Sequence, residues 1–164
     1  VYDPMLRLQK AKMPTLWFSW PEDRHFPMDK FANCYHEVSG SYTVSLIPKL
    51  GHGHGPPWSK PDSYAFADSI TKAGKPWCRQ KGLVRLDESR VNVAFLSSKP
   101  LSDPLLVYSL DKGMSGERKW QEIAAQGNQS RDVYEVEVTL PEGVTGWFIN
   151  VRSGELTVSS DYQE

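Results

Sequence analysis

Apolar residues along this chain follow two different rhythms, and the change comes near the middle. Met13 to Trp20 is a short run in which Leu16, Trp17 and Phe18 are consecutive, the pattern of a strand buried on both faces and covered by helices. From Met28 to Val38 the apolar positions Met28, Phe31, Ala32 and Tyr35 recur at helical spacing. Asp29 falls in the first turn and Gly40 closes the segment, so an amphipathic helix is predicted. Tyr42 to Ile47 is rich in β-branched and aromatic residues and is ended by Pro48. It predicts a second strand, parallel and adjacent to the first. A Gly/Pro-rich loop from Gly51 to Lys60 follows, and Pro61 opens a helix that Gly74-Lys75-Pro76 terminates.

Beyond Trp77 the period drops to two. Val91, Val93 and Phe95 alternate with polar residues, and Glu135 and Glu137 alternate with Tyr134, Val136 and Val138. Turn signals divide this half into about seven short strands, the spacing of an all-β sandwich. The expected architecture is therefore α/β followed by all-β. Residues 1–78 would form a β-α-β-α unit and residues 79–164 a β-sandwich, with the boundary near residues 75 to 82. No repeat of fixed period and no low-complexity stretch interrupts this order.

Charge adds little: 19 Lys+Arg face 20 Asp+Glu, so no field favours nucleic acid as a partner. Six Trp, seven Tyr and six Phe mark a globular chain, while 12 Pro and 12 Gly imply many turns and loops that carry the chemistry. No apolar run reaches the roughly 20 residues of a membrane-spanning helix, so no membrane partner is expected. The first twenty residues lack the layout of a signal peptide. Val1 opens the chain without a Met and leads through Arg7, Lys10 and Lys12 into a buried-looking strand, so an upstream portion is expected. Cys34 and Cys78 are compatible with a disulfide or with two free thiols, and spacing alone does not decide between them.

The candidate chemistry lies in two loops. Trp20-Pro21-Glu22-Asp23-Arg24-His25-Phe26-Pro27 follows the first strand and Gly51-His52-Gly53-His54-Gly55 the second. Loops leaving the carboxyl ends of parallel neighbours converge, and such neighbours lie about 4.8 Å apart, so Asp23 is within reach of His52. A histidine oriented by a buried carboxylate is the base half of a Ser-His-Asp machine, with His52 moving the proton and Asp23 fixing its tautomer. The serine half calls for something close to G-x-S-x-G, which these residues do not contain. Simpler roles compete. Asp23 is suited to capping the helix near Pro27, Glu22 is a rival acid, and His25 and His36 read as a loop contact and a helix-surface residue. His52 and His54 form a His-x-His pair, but no third or fourth ligand is evident nearby, so no metal is expected. His54 and Trp58 are candidates for shaping a substrate cleft, although Trp58 with Pro56-Pro57 is equally suited to bracing the loop.

On these residues the first portion resembles the C-terminal part of an α/β-hydrolase. Asp23-Arg24-His25-Phe26-Pro27 is similar to the acid loop and Pro48 to Gly53 to the histidine loop. More narrowly, Met13-Pro-Thr-Leu-Trp, Gly51-His-Gly-His-Gly and Tyr64-Ala-Phe-Ala-Asp resemble bacterial acetylxylan-esterase-like and prolyl-oligopeptidase-like hydrolases with an appended β-sandwich. The resemblance implies a serine hydrolase of carboxylic esters, with acetylated carbohydrate as substrate and peptide hydrolysis as an alternative. It implies no cofactor, a periplasmic or secreted location, and a nucleophile from an upstream part of the same domain. From another class comes a non-catalytic reading, in which the sandwich binds a carbohydrate or a partner protein.

Overall fold

The computed structural model describes residues 5–53 and 55–164. Among them are four α-helices, α1 (Met5–Leu8), α2 (Met28–His36), α3 (Gly55–Ser59) and α4 (Pro61–Ala73). The strands are β1 (Thr15–Ser19), β2 (Tyr42–Leu46), β3 (Cys78–Arg85), β4 (Arg90–Ser97) and β5 (Ser102–Ser109), then β6 (Gln121–Ala124), β7 (Gln126–Ser130), β8 (Val133–Thr139), β9 (Gly146–Ser153) and β10 (Leu156–Ser159). A 3-10 turn, Ser115–Glu117, lies between β5 and β6. No helix among the described residues is long and apolar enough to cross a membrane.

The strands form two sheets, one of six in the order β1-β2-β10-β9-β5-β6 and one of four in the order β3-β4-β8-β7. Period-2 alternation builds the core between them. Val91, Val93 and Phe95 of β4 and Tyr134, Val136 and Val138 of β8 meet Leu106 and Tyr108 of β5 and Trp147, Ile149 and Val151 of β9. The opposite face of the six-stranded sheet is covered by α2, whose Met28, Ala32 and Tyr35 pack on Val44, Leu46, Val107 and Phe148. β9 is therefore covered on both sides, and its first six residues are all buried.

β1 and β2 are parallel neighbours, with Thr15 opposite Tyr42 and Ser19 opposite Leu46. The parallel character ends there, because the free edge of β2 is taken by antiparallel β10, with Ser159 opposite Val44. The expected α/β-hydrolase sheet followed by a sandwich is thus corrected to a mostly-β, sandwich-like fold into which β1 and β2 are built. Two features of these strands explain the difference. The inward face of β2 is polar: the Thr43 hydroxyl donates to the Cys78 carbonyl at 2.8 Å and the Ser45 hydroxyl to the Thr157 carbonyl at 2.9 Å. Those bonds tie β2 to β3 and β10, on the side where α4 also meets the sheet through the Thr157 N–H donating to Asp62 at 2.6 Å. The apolar run of β1 is also only half-buried, with Ser19 its single buried residue.

Candidate functional site

Because β1 and β2 run parallel, the loops that follow them leave from one end of the sheet, and the Ile47 N–H donates to the Ser19 carbonyl at 3.0 Å to extend the pairing there. The loop after β1 turns at once, with the Asp23 N–H donating to the Trp20 carbonyl at 3.3 Å. Asp23 is buried, and its Oδ1 accepts from the backbone N–H groups of His25 at 2.8 Å and Phe26 at 3.1 Å. The loop after β2 turns through positive φ at Gly51 (88°) and Gly53 (142°), on either side of His52, where a side chain would strain the backbone. His52 Nδ1 thereby comes within 3.0 Å of Asp23 Oδ2.

A carboxylate only accepts hydrogen bonds, so the pair places the proton on His52 Nδ1 and leaves the Nε2 lone pair available. Burial pushes the Asp23 carboxyl up, but the hydrogen bonds from His52, His25 and Phe26 together outweigh it and hold it below the usual carboxylate range. The Asp23 side chain is 6% exposed and that of His52 43%, so the acid is shielded while the imidazole reaches solvent. Chemically, His52 is equipped to accept a hydrogen bond or a proton at Nε2 and to hold its ring still while doing so.

The pair opens into a cleft of about 640 Å³ walled by Trp17, Trp20, Phe26, Phe31, His25 and His52. Its rings are ordered against one another. Trp17 and Phe31 meet edge to face at 5.6 Å, and His52 is stacked with His25 at 4.4 Å and with Phe26 at 5.7 Å.

The distal half of the chain fixes this site. The Met28 N–H at the start of α2 donates to the Ser115 hydroxyl at 2.6 Å. Gly116 lies so close to the acid loop that a Cβ there would collide with the Asp23 carbonyl oxygen. The 3-10 turn thus holds both the loop bearing Asp23 and the helix that follows it.

Of the residues expected from sequence, Asp23 and His52 are brought together. Trp58 stands on α3, exposed, and is not among the described residues that line the cleft. His54 lies outside the described residues. Glu22 takes a different task, accepting from the Lys49 N–H at 3.2 Å to tie the two loops together. Asp23 does not cap α2, whose cap residue is Pro27 without a side-chain bond. His36 lies on the helix surface 3.4 Å from Asp161 Oδ2, and Cys34 and Cys78 are not joined to each other by a disulfide. Sequence reasoning missed Trp17, Trp20 and Phe31 as cleft walls. The signal for them is the density of aromatics on both sides of the acid loop, a pattern that core-filling residues share.

No protein-family model matches the chain, and a search of curated proteins returns no match. Among solved structures, the carbohydrate-binding module family 56 β-1,3-glucan binding domain is similar at 15% identity and a TM-score of 0.32, covering 52% of this chain and 94% of that one. The expected membership among α/β-hydrolases with a Ser-His-Asp triad is overturned. The six-stranded sheet is antiparallel apart from its β1–β2 pair, so no parallel hydrolase sheet is present among the described residues. The β-sandwich character is what stands of that expectation.

Proposed function

We propose that this chain is a carbohydrate-binding β-sandwich module whose ligand lies in the aromatic cleft beside Asp23 and His52. The observation that carries this reading is the wall of Trp17, Trp20, Phe26 and Phe31 around one oriented polar pair. A pyranose presents apolar C–H faces, which stack on aromatic rings, and hydroxyls, which need aligned partners. The cleft offers ring faces for the first and the His52 Nε2 for the second. The orienting hydrogen bond from Asp23 lowers the cost of fixing that acceptor before the ligand arrives.

Calorimetric titration with β-1,3-gluco-, cello- and xylo-oligosaccharides tests the reading. At least one series binds saturably, and Phe26→Ala, which removes an exposed ring, weakens that binding roughly three- to tenfold, the worth of one aromatic contact. Absence of binding to every series, or binding unchanged in Phe26→Ala, contradicts it.

A further inference from the structure

We propose that Asp23, His25 and His52 form a binding site for one zinc ion, with the cleft supplying its open coordination position. One carboxylate oxygen and one ring nitrogen from each histidine lie within 4.8 Å of one another. Zinc bonds of about 2.0–2.2 Å at tetrahedral angles require donor atoms about 3.3 Å apart. His52 Nδ1 lies 3.0 Å from Asp23 Oδ2 and His25 Nδ1 lies 3.9 Å from Asp23 Oδ1, so each histidine faces a different oxygen of the one carboxylate, and a shared ion draws the His25 ring inward.

Three further features fit a metal. The carboxylate is buried and already oriented by the His25 and Phe26 N–H groups, the outer support that ligating carboxylates commonly have. The two imidazoles come from different loops and lie stacked at an interplanar angle of 29°, and the exposed His25 ring turns about its side-chain bonds to bring its lone pair to the ion that His52 faces. Two nitrogens and one oxygen form a donor set suited to zinc rather than to calcium or magnesium. With a metal at Nδ1, the proton of the neutral His52 ring sits on Nε2, so that nitrogen donates and no longer accepts. Zinc and the saccharide contact proposed above are therefore alternative states of His52, and the zinc site does not depend on a sugar being there.

Zinc titration of the EDTA-treated, dialysed full chain in competition with a chromophoric chelator tests this. One zinc ion is taken up per chain, His25→Ala binds it at least tenfold more weakly, and His36→Ala binds it as the parent does. Cobalt substituted for zinc gives the visible bands of a four-coordinate site. No uptake by the parent chain, or equal uptake and affinity in His25→Ala, overturns the proposal. Saccharide binding measured in EDTA reports on the other reading separately, so loss of one does not imply loss of the other.

Discussion

Asp23 divides its two oxygens between two tasks: Oδ1 holds the backbone of its own loop and Oδ2 orients His52. Its carboxyl is held below the ordinary value, so the stability it contributes is complete above the unfolded value of about 3.9 and is lost as pH falls through the folded value. Thermal melts of the parent and of Asp23→Asn therefore differ most near neutrality and converge in acid. A gap that persists unchanged at low pH contradicts this. Asp62 behaves in the opposite sense. Burial raises its carboxyl, against the hydrogen bond from the Thr157 N–H, and its Oδ2 has no hydrogen-bond partner among the described residues. Ionisation of Asp62 costs the fold stability as pH rises above the unfolded value, so Asp62→Asn melts higher than the parent at pH 7 and the advantage shrinks towards pH 4. Equal or lower melting at pH 7 refutes that assignment. At Gly116 the contact is steric. Gly116→Ala forces the acid loop away and lowers stability by about 1–3 kcal/mol, which urea denaturation reads directly.

Among the elements, α2 links the two halves of the argument. Its first turn has no cap from its own sequence and receives one from Ser115, so Ser115→Ala costs about 1 kcal/mol in denaturant unfolding. No change in midpoint would mean that the bond is not a cap. The apolar spacing of Met28, Ala32 and Tyr35 made α2 legible in the sequence, and the alternation in β4 and β8 did the same for those strands. β7 was not legible. Gln-Gly-Asn-Gln-Ser is exposed throughout and pairs with β8 mainly through its backbone, which leaves no periodic trace. The parallel pairing of β1 with β2 followed from a short helical crossover. The insertion of β10 against β2 did not, because it joins positions more than a hundred residues apart through one register pair and the hydroxyls of Ser45 and Ser159.

At the scale of the whole molecule, the six-stranded sheet runs from β1 and β2 through β10 and β9 to β5 and β6, and the site sits on the loops that follow its first two strands. The meeting of Asp23 and His52 was readable because strand order and loop position sufficed to bring them together. The aromatic cleft was not, since Trp17 and Phe31 carry the same apolar signature whether they fill a core or face an opening. The side-chain nitrogen spectrum of His52 in chain labelled with nitrogen-15 histidine, recorded in EDTA with and without oligosaccharide, tests the central claim most directly. The account predicts a proton on Nδ1, a bare Nε2, and a saturable shift of the Nε2 signal as sugar is added. A proton on Nε2 in the free chain, or a His52 signal indifferent to every oligosaccharide, would contradict it.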